Sequence, residues 1–502
     1  MLQAVSKQTN SYSKAQESPI QIATRLAKLS EKLLPTMERH ALKMSFESLT
    51  SGGVCLADAT CNPTSAYKAR GALASACIAK QQGAEGVWTA SAGNHGAGLA
   101  YAAKLLGLDA TIYVPTTAPQ TKVQNINKFG ACVRQLGRDF DSCLKLAHEC
   151  QNQSSSSTMF VHPFDEQAVV AGQGTIGFEI IRHAALLSTM QDFDRIRIFV
   201  PIGGGGLTAG IASVLKTQWP SMLPRPEIIA VADESSPSAV VGALFGRPVR
   251  TLSDTIADGI RVAKVGKTFA SVAPLLDHIL LIPHDEIVTT MQDMEHLHGR
   301  RLEPAGALAI AGERLVRRHA LLPEIPGSLS IPVISGGNVD SDTFSDTLRA
   351  PRRINTTSHQ RCAFDIPLKE RDGELLSLLR TVSNFNIASL TYKQNPEACT
   401  STLRIEFEIL RGSIPELERT VGNAFPGSER LTDGAQVAFS VTAPVAQDFC
   451  DDLVTLTDRP GAFLEYLCEL HTQGELGSIG FLFYRKPSKA GALAQVVLGR
   501  RI

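Results

Sequence analysis

The chain lacks any run approaching the roughly 18 apolar residues that would cross a bilayer, and it lacks a basic block. Lysine plus arginine equal aspartate plus glutamate at 49 each, for a formal net charge of +0. That balance removes the electrostatic case for nucleic acid or an anionic membrane surface. Aromatic residues make up only 6% of the chain. The 10 cysteines are scattered and form no C-x-x-C pair. A disulfide framework and a thiolate metal site are therefore not expected, and reduced thiols inside a cell are.

What remains is a soluble, globular composition, with 43% hydrophobic and 20% charged residues. At 502 residues the chain is long enough for two or three domains. Its first 18 residues, MLQAVSKQTNSYSKAQES, are serine-rich and free of acid until Glu17. They read as a disordered tail or as a targeting segment, although the latter is usually arginine-rich. The expected location is intracellular: cytoplasmic, or alternatively mitochondrial or plastid.

From 19 to 347, short apolar stretches alternate with alanine-rich helical ones. ATIYVP (110–115), RIFVPI (197–202), EIIAVA (227–232), HILLIP (278–283) and IPVISG (331–336) predict strands. HGAGLAYAAKLLG (95–107) and GLTAGIASVLKTQ (206–218) predict helices between them. This alternation implies an α/β domain with mostly parallel sheets, whose ligands bind beyond the carboxyl ends of the strands. A polar linker is predicted over 348–361. Beyond it an α+β pattern repeats. Arg371-Asp372-Gly373-Glu374-Leu375-Leu376 matches Arg459-Pro460-Gly461-Ala462-Phe463-Leu464, and NIASLTYK (386–393) matches SIGFLFYR (478–485). Two tandem modules are expected, 362–445 and 446–502, the second lacking the last helix and strand of the first.

Glycine-rich and polar segments fall where the strands of the first region end. Asn62-Pro63-Thr64-Ser65-Ala66-Tyr67-Lys68 is a turn before the helical ARGALASACIAK. By itself Lys68 is either a solvated charge or a Schiff-base lysine made nucleophilic by desolvation. Ser91-Ala92-Gly93-Asn94-His95 links GVWTA to a helix, either as an ordinary turn or as an anion site of exposed amides. Gly203-Gly204-Gly205-Gly206-Leu207 opens another helix without the GK[ST] ending of a P-loop, leaving a phosphate cradle or a flexible loop. Ser335-Gly336-Gly337-Asn338, alone, is a turn.

Together and in this order, these segments resemble the fold-type II pyridoxal-phosphate enzymes, which are tryptophan synthase β-like, and most closely the biosynthetic threonine dehydratases (threonine ammonia-lyases). HPFDEQAVVAGQGTIGFEI (162–180), ADGIRVAKVG (257–266) and LEPAGALAIAG (302–312) are similar to the same family. The resemblance implies pyridoxal phosphate as cofactor and deamination of L-threonine to 2-oxobutanoate and ammonia. It implies that Lys68 binds the cofactor and moves the Cα proton, with Tyr67 in the place of a family phenylalanine beside the ring. Asn94 would meet the cofactor's 3′-oxygen, Gly203, Gly204, Gly205, Gly206 and Leu207 its phosphate, and Ser335 its ring nitrogen. Ser91, Gly93 and His95 would lie near the substrate carboxylate. Glu303 reads as a helix N-terminal acid favoured by the dipole.

The C-terminal repeats resemble ACT-like regulatory modules that sense isoleucine and valine. There Tyr392, Tyr484 and Arg485 match effector-responsive strands, or else simply pack a strand face. A homo-oligomer is expected. The sequence departs from the family at Ala57-Asp58-Ala59-Thr60, at Ala66, at Ala232 and over Met37–Val54. These departures keep open a serine/threonine dehydratase-like paralogue with altered substrate or reduced activity. A racemase or β-replacement enzyme, and a cofactor-binding protein without activity, are further alternatives.

Overall fold

Ser18 opens the first helix in the computed structural model of the chain. The structure describes residues 17–339 apart from 51–52, 153–156, 320–321 and 324–325, and beyond 339 the helices, strands and core residues named below. The N-terminal segment up to residue 16 and most of the 348–361 stretch lie outside the described residues, as do 371–373 and 459–461 of the repeat. Helix α1 (Pro19–Arg39) begins with a capping box, Ser18 accepting from the Gln21 amide and the Gln21 side chain accepting from the Ser18 amide. Ala23, Leu26, Ala27, Ser30, Leu33, Leu34 and Met37 form its buried stripe at helical spacing.

A hairpin of β1 (Ser45–Thr50) and β2 (Val54–Asp58) follows, filling the stretch that departs from the family in length. Then come α2 (Lys68–Gln81), β3 (Gly86–Ala90), α3 (Asn94–Leu106), β4 (Asp109–Val114), α4 (Gln120–Asn127), β5 (Cys132–Gln135), α5 (Phe140–Asn152) and β6 (Thr158–Phe160). The chain continues through α6 (Gln167–Ser188), β7 (Arg195–Pro201), α7 (Gly206–Gln218), β8 (Pro226–Asp233), α8 (Ser238–Phe245) and α9 (Lys267–Val272). It ends this region with β9 (His278–Ile282), α10 (His284–His298), α11 (Pro304–His319) and β10 (Ser328–Ile334).

All five predicted strands are present. β10 stops at Ile334, short of the predicted Gly336, because the Ser335 carbonyl leaves the ladder to accept from the Tyr67 amide at 3.0 Å. The expected parallel arrangement takes the form of two sheets. β3–β6 build a four-stranded parallel sheet in the order β5-β4-β3-β6. The larger sheet runs β1-β2-β10-β7-β8-β9 and is parallel from β2 to β9. Ile198, Phe199, Val200, Ile228, Ile229 and Leu281 are fully buried, as expected of strands covered by helices on both faces. Helices α6 and α7 cross with their backbones close together. A Cβ on Gly210 would lie 2.3 Å from the Val170 carbonyl oxygen, so only glycine permits that approach.

The C-terminal region comprises β11 (His359–Lys369), α12 (Glu374–Thr381), β12 (Asn386–Asn395), β13 (Thr400–Leu410), α13 (Ile414–Ala424) and β14 (Glu429–Arg430), followed by β15 (Ala438–Ser440), β16 (Phe449–Leu456), β17 (Ile479–Arg485) and β18 (Ala494–Arg501). The repeated segments share one seven-stranded antiparallel sheet, in the order β14-β11-β13-β12-β17-β18-β16. β12 and β17, the matched copies of the repeat, pair side by side. Thr391 lies opposite its counterpart Phe483, with Leu390 opposite Tyr484 and Tyr392 opposite Leu482. A local two-fold axis thus passes between Thr391 and Phe483, and a single core of residues such as Phe364, Leu376, Phe407, Leu417 and Leu498 serves both copies. β15 leaves this sheet and pairs antiparallel with β9, Phe439 opposite Ile279, at the edge of the larger N-terminal sheet. Among the described residues, no helix is long and apolar enough to cross a membrane.

Candidate active site

The turn that delivers Lys68 is laced to the end of β10. The Tyr67 amide donates to the Ser335 carbonyl and the Gly337 amide to the Ser65 carbonyl, both at 3.0 Å, and Ala66 bridges Gly336. Asn62 braces the turn from behind, its Nδ2 donating to the Ala59 carbonyl at 2.7 Å and its Oδ1 accepting from the Lys43 amide at 3.1 Å. Ser65 takes a left-handed φ of 50° within this lacing. Lys68 is therefore held as the first residue of α2. Its Nζ donates to the Pro163 carbonyl at 3.1 Å and lies 5.4 Å from the Tyr67 ring centroid. Burial lowers the Lys68 pKa to about 8, against the opposing pull of the Glu303 carboxylate. Burial also pushes the Tyr67 phenol up, with Glu303 adding to the shift.

The four glycines lie between β7 and α7, with Gly205 at φ 91°. Their packing excludes side chains. A Cβ on Gly203 would lie 2.6 Å from Ile260 Cα, one on Gly204 2.3 Å from the Phe164 ring, and one on Gly205 2.3 Å from Phe269. One on Gly206 would sit 2.5 Å from the Phe164 carbonyl oxygen. Among the described residues, no backbone carbonyl takes up the amides of Gly203, Gly204, Gly205, Gly206 or Leu207 outside the helix itself. The result is a rigid row of free donors at a helix N-terminus, suited to an anion.

The third segment turns from β3 into α3, where Ser91 Oγ accepts from the Gly93 amide at 3.3 Å. Gly93 is exposed, and no atom lies near the place of its missing side chain. His95 turns inward. It is 2% exposed, with Nε2 3.2 Å from the Val161 carbonyl and Nδ1 without a partner. Burial first, and then the charge of Lys68, lower its pKa to about 3, so the ring is neutral.

Asn94 connects this segment to two others. Its Nδ2 donates to Glu303 Oε1 and Oε2 at 2.9 and 3.0 Å, and its Oδ1 accepts from Asn338 Nδ2 at 2.8 Å. Glu303 does precede α11, as expected of a helix N-terminal acid, but its carboxylate is bound inside the site. Burial raises its pKa, opposed mainly by the Asn94 hydrogen bond. In the sequence Asn338 reads only as the end of a turn. Nothing local to either residue marks it, because the contacts arise from segments more than 200 positions apart. The buried Ser335 hydroxyl donates to the Ala305 carbonyl at 3.1 Å.

The departures from the family are accommodated structurally. Asp58 is 4% exposed and pairs with Arg300 at 2.7 Å, while Arg300 also reaches Glu47. After Ala232, Asp233 and Glu234 are buried, and Asp233 accepts from the Thr255 hydroxyl at 2.5 Å. In the C-terminal sheet Tyr392 and Tyr484 are both buried in the core, Tyr484 stacked on Phe463 at 4.2 Å. The Arg485 side chain lies outside the described residues.

Residues 40–329 match the family model described as pyridoxal-phosphate dependent enzyme. The chain is 37% identical over 285 residues to an L-threonine ammonia-lyase of Geobacter sulfurreducens, covering 56% of this chain and 66% of that protein. It is 30% identical over 457 residues to the mitochondrial threonine dehydratase of Schizosaccharomyces pombe, covering 88% of this chain and 71% of that one. The structure of the processed form of threonine deaminase isoform 2 from Solanum lycopersicum superposes with a TM-score of 0.53 at 31% identity, over 64% of this chain and 80% of that chain.

Proposed function

Because the chain belongs to the pyridoxal-phosphate-dependent enzyme family, we propose that it deaminates L-threonine to 2-oxobutanoate and ammonia. The observation that carries this reading is a desolvated lysine facing a row of unclaimed amides across the same loop, His162–Asp165. The residues present fit the cofactor. The glycine loop leaves the amides of Gly203–Leu207 without a carbonyl partner at the N-terminus of α7, and Lys68 is depressed toward the neutral form that attacks a carbonyl.

The cofactor, when bound, supplies the electron sink that makes the substrate Cα–H acidic. The chain's own residues do the rest. The Gly203–Leu207 amides hold the phosphate, each hydrogen bond to a charged acceptor contributing about 1.5–3 kcal/mol. Lys68 Nζ would hold the cofactor and, as a neutral amine at the site, would move the substrate Cα proton. Ser91, Gly93 and the first amides of α3 orient the substrate carboxylate. The neutral His95 supports that turn from behind. Asn94 faces the cofactor's 3′-oxygen, with its own orientation set by Glu303 and Asn338. Ser335, whose hydroxyl donates to the Ala305 carbonyl, would set a neutral group rather than a carboxylate beside the cofactor's ring nitrogen.

Tyr67 favours a second reading, a paralogue with an altered substrate, because it adds a phenol where the family carries a phenylalanine. A keto-acid assay across threonine, serine and their stereoisomers decides between the two. Production of 2-oxobutanoate from L-threonine well above pyruvate from serine supports the first reading. The reverse supports the second, and no product from any of them refutes both. Regulation by isoleucine or valine at the C-terminal sheet, a homo-oligomeric assembly and an intracellular location belong to the same proposal.

A further inference from the structure

One short segment, His162–Glu166, touches both Lys68 and the glycine cradle, and one side chain shapes it. His162 Nδ1 accepts from the amides of Phe164 at 3.2 Å and Asp165 at 2.9 Å, folding the chain into a tight loop. Glu166, which precedes α6, secures the other side. Its Oε2 accepts from the His162 amide at 3.1 Å, and its Oε1 from the Ser75 hydroxyl. Three groups project from this loop. The Pro163 carbonyl accepts from Lys68 Nζ at 3.1 Å. The Phe164 ring and carbonyl fill the spaces where side chains on Gly204 and Gly206 would sit. The Asp165 carboxylate accepts from the Lys267 and Thr268 amides at 2.9 and 3.0 Å, and next to them the Gly266 amide donates to the Gly204 carbonyl at 2.9 Å.

We propose that His162 is a positioning residue for the cofactor: as a double acceptor for two amides it holds the loop that seats Lys68 and shapes the glycine cradle. The proposal rests on the cofactor reading above. Only a ring with an unprotonated Nδ1 can accept, so the proton of the working form resides on Nε2. Lys68 from α2, His95 from α3, and Asp165 and Glu166 from the loop itself are the titratable groups that face it. Burial lowers the His162 pKa, Lys68 adds to the shift and Asp165 opposes it. The loop is therefore intact at neutral pH and is lost as pH falls through a value below the ordinary histidine range.

The test uses the full-chain holoenzyme and two variants, His162→Ala and His162→Asn. An asparagine Oδ1 can accept in place of Nδ1 but does not titrate. Cofactor release is followed by visible absorbance, with a trap for free cofactor, from about pH 5 to 8. Losing the one acceptor shared by two amides is expected to speed release about tenfold or more in His162→Ala. His162→Asn should stay within about threefold of the parent, and should lack the acceleration in acid that the parent shows. Hydrogen exchange at the Phe164 and Asp165 amides should rise in His162→Ala and stay protected in His162→Asn. Equal impairment of both variants overturns the proposal, as does unchanged amide exchange in His162→Ala or pH-independent release from the parent. If the parent holds no cofactor at all, the reading of function fails, while amide exchange on the cofactor-free protein still decides the role of His162.

Discussion

Gly204→Ala adds one methyl group at the centre of the cradle. That methyl would lie 2.3 Å from Phe164 Cγ and 2.4 and 2.5 Å from the two Cδ atoms. The backbone that carries the ring is itself held, its amide by His162 and its carbonyl against Gly206. Overpacking of this kind costs about 1–3 kcal/mol. The strain can be relieved only by moving the ring or the loop, and moving the loop turns cradle amides off the phosphate. Loss of one such bond, about 1.5–3 kcal/mol, corresponds to roughly 10–150-fold weaker cofactor binding. Absorbance titration of the cofactor-free variant measures that affinity, and circular dichroism follows its melting. The double variant Phe164→Leu/Gly204→Ala separates the causes, since a smaller side chain should recover part of the loss if ring and methyl collide. Affinity within about twofold of the parent, with unchanged melting, would refute the reasoning.

Four further outcomes can be measured. Lys68→Ala should abolish turnover without unfolding the protein, and borohydride should fix the cofactor on the Lys68 peptide of the parent; labelling of another lysine would overturn that assignment. Because only the neutral amine attacks, cofactor capture by the cofactor-free protein should rise with pH around 8, and a midpoint near the ordinary lysine value of 10.5 would contradict the desolvation seen here. Arg70 is fully buried on α2 and pairs with Glu179 at 2.5 Å, so Glu179→Gln should destabilise the fold by about 3–5 kcal/mol in a denaturant melt, and a loss below about 1 kcal/mol would show that the pair is dispensable. Isoleucine titrated into the threonine assay should shift apparent substrate affinity by less than the typical 5–150-fold of an allosteric enzyme, with the shift vanishing when residues from about 355 onward are deleted; inhibition that survives the deletion would move the effector site to the N-terminal region.

Much of the site was legible along the chain because its parts sit where strands end. Lys68, Ser91–His95, the four glycines and Ser335 each follow a strand or open a helix, and strand alternation alone predicts which end of the sheet carries them. The conformational cost of four consecutive glycines is legible in the sequence, but by itself it leaves both a phosphate cradle and a flexible loop open. The repeat was legible for a similar reason, since two copies of one pattern need similar environments. It did not reveal that β12 and β17 pair about a shared axis, because strand order depends on which edges meet.

The sequence by itself determined the α/β rhythm, the positions of Lys68 and the glycine loop, and the repeat in the C-terminal region. Tertiary structure alone decided what those groups touch. Glu303 looked like an ordinary helix N-terminal acid until the fold placed it on Asn94. His162 and Phe164 lie in a segment legible only as similar to the family, and it is the fold that sets Pro163 against Lys68 and Phe164 against Gly204. β15 became the edge partner of β9 through pairing across more than 150 residues of chain. Local spacing encodes periodicity and end signals. Desolvation, close approach and hydrogen bonding between distant segments exist only once the chain is packed, and these are what lower the Lys68 pKa and leave the cradle amides free.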